Sequence, residues 1–158
     1  MSSIVRQLSK AEIEAYMNAA QSAMFQYQMI EQALKAYIFY AHRIVQSHLP
    51  KELSFGYKEE EYDSMPLERL LKVFAKFTHN QALLKQLRAL QGPRNHVAHR
   101  SFALVFLSSV SVKVNFEQEF KKVSEASASS VTAFMALKEE LDSISKVSAR
   151  LAGPNGVA

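Results

Sequence analysis

The chain has 158 residues, with 19 Lys and Arg against 15 Asp and Glu, five His and no Cys. That length fits one domain. The missing Cys excludes a disulfide scaffold, a thiol nucleophile and any Cys-ligated metal centre. Four Gly and four Pro are too few for the many turns of a β-sandwich. The net charge of +4 is compatible with a nucleic-acid partner but does not require one.

The N-terminal residues lack the apolar core of a signal peptide. The longest apolar run covers residues 102–107, far short of the ~20 residues that cross a bilayer as a helix. We therefore expect a cytoplasmic protein with no membrane partner.

The first long helix is predicted to begin at Ser9. Ser9 and Glu12 have the spacing of a capping box, and no Gly or Pro follows before Pro50. The apolar positions repeat in alternating steps of three and four, as in a heptad seam. They are Ile13, Tyr16, Ala20, Ala23, Tyr27, Ile30, Leu34, Tyr37, Ala41 and Ile44.

Shorter elements are predicted in the middle of the chain. Residues 50–63 contain Pro, Gly and an acidic cluster, which indicates a loop. Ser64 is expected to cap a second helix with Pro66 in its first turn, and Asn80 a third. Gly92 and Pro93 are expected to end that helix and start the next.

The alternation of apolar and polar residues over 110–116 predicts an extended connector. Asn115 is expected to cap a last long helix, whose seam includes Ser127 and Phe134. The predicted fold is all-α: an up-and-down helical bundle of four to five helices with long first and last helices. Residues 1–151 form one domain in this prediction, and residues 152–158 a disordered tail.

The residues best suited to catalysis or phosphate binding form one short cluster: Arg94, Asn95, His96, His99 and Arg100. With a helix beginning near Arg94, Asn95 and His99 share a face, and the Arg94 side chain can fold back over it. Arg offers a planar fork of donors to phosphate, and His exchanges protons near neutral pH. Such a set suits cleavage of RNA, whose 2′-hydroxyl is an internal nucleophile, without a metal.

The distribution of charge agrees with that chemistry. Between residues 67 and 100, seven basic residues accompany one acid, Glu68, for a net charge of +6. The rest of the chain is slightly acidic, so a phosphate polymer is the expected partner. The basic residues are Arg69, Lys72, Lys76, Lys85, Arg88, Arg94 and Arg100.

The segment from Arg94 to His99 resembles the R-x(4–6)-H motif of HEPN domains, in which a polar residue usually follows the Arg. Those domains are helical bundles of about this size, with the motif near the start of a late helix. The resemblance implies a metal-independent endoribonuclease that dimerises so that two Arg/His pairs form one cleft. It also implies a toxin–antitoxin or antiphage defence setting, with a cognate antitoxin protein as a possible partner.

In that family's terms, Arg94 and His99 are the catalytic pair and Asn95 supports them. His96, Arg100, Arg88 and Lys85 are weaker candidates for RNA contacts, and neither a metal nor another cofactor is expected. Some members carry a Tyr two residues after the motif His that a partner nucleotidyltransferase modifies. Ser101 stands there in this chain, which argues against that form of regulation.

Two other interpretations remain open from the sequence. Arg94 and His99 can simply tie down a helix end, in which case the chain is a non-catalytic module that binds RNA or a protein. His96 and His99 have the spacing of a metal pair, which would make a metal-dependent hydrolase. The aromatic residues of the first helix, such as Phe25 and Tyr40, fit a core and an oligomer interface better than a base-stacking platform.

Overall fold

The computed structural model describes residues 8–107 and 115–153. Helices make up 81% of them, and no strand occurs in these two ranges. The fold is an all-α helical bundle with long first and last helices, as predicted. No helix in the described part is long and apolar enough to span a membrane. The helices are α1 (Lys10–Ser47), α2 (Glu60–Asp63), α3 (Leu67–Phe74), α4 (Gln81–Ala89), α5 (Gln91–Leu107) and α6 (Phe116–Ala152).

The predicted start of α1 is confirmed. The Ser9 hydroxyl donates to the Glu12 carboxylate at 2.8 Å, and the Glu12 amide donates back to the Ser9 Oγ at 3.3 Å. Because no Gly or Pro interrupts the sequence, α1 continues without a break for 38 residues. Its predicted seam is buried from Tyr16 to Ala41 and half-buried at both ends.

Two predictions for the middle of the chain are wrong. The predicted loop contains the single-turn helix α2, and Ser64 follows that helix instead of capping α3. Pro66 is the residue before α3, with φ −68° and ψ 154°, and no side chain caps this helix. A proline disfavours helical geometry in the residue before it, so α3 cannot extend back towards Ser64.

The boundary before α5 also differs from the prediction. Asn80 caps α4 as expected, since its Oδ1 accepts from the Leu83 amide at 3.0 Å. However, α4 ends at Ala89 and α5 begins at Gln91, so Gly92 and Pro93 lie inside the first turn of α5. Pro is tolerated there because first-turn amides have no acceptor within the helix.

The predicted cap of α6 is confirmed, because Asn115 Oδ1 accepts from the Gln118 amide at 3.2 Å. The predicted seam is only partly right. Ser127 and Phe134 are half-buried, whereas the neighbouring Ala126 and Ala133 are buried at 3% and 0% exposure. These small side chains let a neighbouring helix approach closely. Most of the predicted connector and tail, residues 110–114 and 154–158, lies outside the described residues.

The chain forms two compact units, to which α1 and α6 both contribute. The first unit comprises the described residues of 8–28, 89–107 and 115–132, and the second comprises 29–88 and 133–153. That the two units together form a single domain stays a prediction.

In the first unit, α5 runs antiparallel to α1, because Tyr16 contacts Ser101 and the later Tyr27 interacts with the earlier Arg94. A hydrogen bond of 3.3 Å between Ser22 and Ser127, together with the Tyr16–Phe116 ring contact, makes α6 parallel to α1. The core between them includes Tyr16, Tyr27, Val97 and Val123.

In the second unit, α3 packs on the later part of α1. The Phe74 ring meets the Tyr37 ring edge to face, with 4.7 Å between their centroids. The start of α4 is joined to α6, because the Asn80 amide donates to Glu140 Oε1 at 2.6 Å. The buried side chains are mostly leucines of α3 and α4 and aliphatic residues of α1.

Candidate functional site

Helix α5 carries most of the predicted site residues in the first unit. At about 100° per residue, Asn95, His99, His96 and Arg100 fall within a sector of roughly 140° on α5. Arg94 lies about 140° from His99, on the side of the buried Val97. The expected convergence of Arg94 with Asn95 and His99 on one face is therefore not what the helix geometry gives. The reason is the early start of α5, which places Arg94 inside regular helix: its amide donates to the Leu90 carbonyl at 2.9 Å.

Arg94 is half-buried, and its positive charge influences the pKa of Tyr27 on α1. Tyr27 is 1% exposed, and its hydroxyl makes no hydrogen bond in the described part of the chain. Burial raises the pKa of Tyr27 to about 12, while the positive charge of Arg94 acts in the opposite direction. The guanidinium is therefore near enough for its charge to influence the phenol of Tyr27, which stays neutral because it is buried.

Asn95 and His99 are exposed and lie one helical turn apart. Neither forms a hydrogen bond or an ion pair with any residue that the structure describes. Both side chains can therefore contact a molecule in solution without first breaking an internal interaction.

His96 is the one histidine of α5 that is held in place. Its Nε2 lies 2.7 Å from Oε2 of Glu119 on α6, and the Lys122 ammonium donates to Oε1 of the same carboxylate at 3.0 Å. Burial raises the pKa of Glu119, but hydrogen bonds and charge from Lys122 and His96 outweigh it, so this pKa lies below its usual value. Glu119 is thus a buried carboxylate that stays ionised at neutral pH.

Close to this pair, the Tyr16 hydroxyl donates to the Ser101 hydroxyl at 3.3 Å. Ser101 is 2% exposed. The side chain two residues after His99 is therefore closed to solvent.

The weaker candidates divide between the units. Arg100 is exposed on α5 of the first unit, whereas Lys85 and Arg88 are exposed on α4 of the second. Within the described residues, no group of three His, Asp or Glu side chains could hold a metal ion. The metal hypothesis therefore has only the two imidazoles, one of which already contacts Glu119.

Glu119 is the residue that sequence analysis missed. It sits in the first turn of α6 and resembles any acid that favours a helix N-terminus. Its partner His96 lies 23 residues earlier in the sequence and on a different helix, α5. No local pattern signals such a pair.

Comparisons of the chain with models of known families, with curated proteins and with solved structures find no match. What the molecule can do is therefore inferred from its own residues and their geometry.

Proposed function

We propose that this protein is a HEPN-type endoribonuclease that cleaves RNA by attack of the 2′-hydroxyl, without a metal ion. The observation that supports it most strongly is the exposed pair of Asn95 and His99 on α5, which follow the half-buried Arg94 by one and five residues. A titratable ring, a carboxamide and a permanent cation are thus supplied by one helix, in the order of the motif.

Each group has a role that its chemistry allows. His99 exchanges a proton with the 2′-hydroxyl or with the leaving 5′-oxygen, since imidazole is both acid and base near neutral pH. Arg94 lies about 140° from His99 on its own helix, so we assign it the stabilisation of the negative charge on the scissile phosphate within the shared cleft of a homodimer. Asn95 orients His99 or the phosphate. The expected products carry a 2′,3′-cyclic phosphate and a 5′-hydroxyl.

The proposal includes a homodimer in which two Arg94/His99 pairs share a cleft. Phe25 and Val131 of the first unit are 57% and 41% exposed, a large apolar surface for side chains in helices. If they lie in the dimer contact, Phe25→Glu yields a monomer in sedimentation velocity, while the wild type sediments as a dimer. A wild type that stays monomeric at all concentrations would remove this part of the proposal.

The defence setting is also part of the proposal. A ribonuclease toxin arrests growth when it is expressed without its antitoxin, and the cognate antitoxin protein would be the second partner. Expression of the wild type should arrest bacterial growth, and His99→Ala should relieve the arrest at equal protein level.

The test of the activity itself is incubation of the purified protein with RNA in excess EDTA. Cleavage is expected for the wild type, with losses of at least ~10²-fold for His99→Ala and for Arg94→Ala. His79→Ala and Arg150→Ala are matched controls, because both side chains are exposed and distant in sequence from the motif. No cleavage, or cleavage undiminished by the motif variants, would refute the assignment. Binding of RNA without turnover would instead favour the non-catalytic module.

A further inference from the structure

We propose that His96 is a second proton-transfer group, so that His96 and His99 divide the two proton transfers of cleavage and Glu119 positions His96. This inference rests on the proposed function. The R-x(4–6)-H motif supplies one histidine. The inference adds a second imidazole from the same helix and a positioning carboxylate from α6.

The first argument is the placement of the two rings. His96 and His99 are three residues apart on α5, which puts their Cβ atoms ~5–6 Å apart on neighbouring rows of the helix surface. Both lie in the sector that also contains Asn95 and Arg100, whereas Arg94 lies outside it. The side chain of His96 is 24% exposed, so part of it is accessible to solvent.

The second argument is the carboxylate behind His96. An ionised carboxylate only accepts hydrogen bonds, so the proton in the 2.7 Å contact belongs to His96 Nε2. This leaves Nδ1 as the atom that exchanges a proton, and Nδ1 makes no hydrogen bond within the described residues. A buried carboxylate that fixes one ring nitrogen and leaves the other to react is the arrangement that orients histidines in acid–base catalysis.

The third argument is that Glu119 itself is rigidly held. It is 7% exposed, and its second oxygen accepts from Lys122 at 3.0 Å. A solvated surface pair would keep neither the burial nor the two partners on separate oxygens. The geometry therefore indicates a device that holds the His96 ring at a fixed angle.

The proton balance is complete without any other reactant. One imidazole takes the proton of the 2′-hydroxyl as the 2′-oxygen forms its bond to phosphorus. The other imidazole, in its protonated form, gives a proton to the 5′-oxygen as the bond from phosphorus to that oxygen breaks. The products are the 2′,3′-cyclic phosphate and a 5′-hydroxyl, with the two rings left in exchanged protonation states.

The first experiment does not depend on activity. Nitrogen-15 NMR of the histidine rings reports which nitrogen carries the proton in each neutral imidazole. His96 in the wild type is expected as the Nε2–H tautomer, and Glu119→Gln is expected to weaken that preference, whereas Glu117→Gln, an exposed change in the same helix turn, leaves it intact. If the neutral ring of His96 in the wild type is instead the Nδ1–H tautomer, the positioning role is overturned, even if the enzyme cleaves RNA.

The second experiment assigns the proton transfers. On RNA, His96→Ala should lower kcat/KM at least ~10²-fold and remove one limb of a bell-shaped pH profile, and Glu119→Gln should lower it at least ~10-fold. On uridine 3′-(p-nitrophenyl phosphate), whose leaving group needs no proton, one of His96→Ala and His99→Ala should retain cleavage, and that variant identifies the acid.

The outcomes separate the two proposals. No RNA cleavage by the wild type refutes the proposed function, while the NMR result still stands by itself. Cleavage that His96→Ala leaves unchanged within threefold, with both limbs of the pH profile present, refutes the role of His96 and leaves the proposed function intact. Circular dichroism of each variant shows that a loss is not due to unfolding.

Discussion

The Tyr27 side chain places a hydroxyl in the interior of the first unit, where it lacks a hydrogen bond within the described residues. An unsatisfied buried polar group costs free energy that its removal recovers. Tyr27→Phe is therefore expected to keep or raise the free energy of unfolding, by up to ~1 kcal/mol, in urea titrations. Tyr27→Ala, which removes the ring as well, should lower it by ~3–5 kcal/mol. A Tyr27→Phe variant that is less stable by more than about 1 kcal/mol would show that the hydroxyl has a partner.

Asn80 joins two functions in one side chain. Its oxygen caps α4 and its amide nitrogen donates to Glu140. Asn80→Asp keeps the capping oxygen but sets a carboxylate against Glu140, so we expect a loss of ~1–2 kcal/mol at neutral pH. The double variant Asn80→Asp, Glu140→Gln should recover most of that loss, since Gln can donate to the new carboxylate. Equal stability of the single and double variants would contradict the contact.

Residues that act on their own neighbours were predictable from the sequence. Ser9, Asn80 and Asn115 each cap a helix within three residues, and the structure confirms all three. Glu119 could not be predicted, because its role depends on α5 and α6 lying side by side. A helix propensity or cap depends on short spacings, whereas a charge pair between helices depends on packing that no short window contains.

At the scale of elements, the segment of residues 55–62 is attached to α1 through His42. The His42 ring is 8% exposed and packs against Phe55, Tyr57, Tyr62 and Phe77, with centroid distances from 4.7 to 6.2 Å. Its Nε2 lies 3.3 Å from the Tyr62 hydroxyl, and Nδ1 is buried without a hydrogen bond among the described residues. These four rings form an aromatic box around His42. The box favours the neutral His42 ring over the charged one, because it offers a charge little solvation.

This packing predicts a pH-dependent stability. Burial lowers the pKa of His42 below 6.5. Between pH 6.5 and this lowered pKa, the unfolded chain therefore binds a proton at His42 more readily than the folded chain does. The stabilisation is fully present above pH 6.5 and is lost as pH falls through the lowered folded pKa. The neighbouring Tyr57 and Tyr62 have raised pKa values and do not titrate in this range.

The measurement is the free energy of unfolding between pH 7 and pH 5. His42→Phe is expected to flatten the decline, because Phe fits the aromatic box and takes up no proton. His48→Gln, a change at an exposed histidine, should leave the decline as in the wild type. An equally steep decline in His42→Phe would place the effect elsewhere.

Element boundaries were predictable only where one signal dominated. The long helices follow from unbroken seams without Gly or Pro, and the structure places them within a residue or two of the predicted positions. The sequence predicts that Gly92 and Pro93 end one helix and start the next. In the structure α4 already ends at Ala89, and both residues lie inside the first turn of α5. A Pro in a first turn and a Pro just after a helix end look alike in the sequence. That shift turned Arg94 away from the face of His99.

For the whole molecule, the distribution of charge matters more than its sum of +4. Lys85 and Arg88 are exposed on α4, and neither forms an ion pair within the described residues. If they contact the RNA backbone, Lys85→Ala and Arg88→Ala each lower affinity for single-stranded RNA and reduce the slope of log K against log salt by ~0.7. Arg150→Ala, an exposed cation at the end of α6, should change neither quantity. Unchanged slopes for all three variants would exclude α4 from the RNA contact.

The most direct test of the proposed chemistry uses an RNA in which the nucleotide before the cleaved bond has its 2′-hydroxyl replaced by hydrogen. In excess EDTA, we expect cleavage of the unmodified RNA to fragments ending in a 2′,3′-cyclic phosphate and a 5′-hydroxyl, and no cleavage of the 2′-deoxy RNA at that bond. Cleavage of the 2′-deoxy RNA, or products with a 5′-phosphate, would contradict attack by the 2′-hydroxyl.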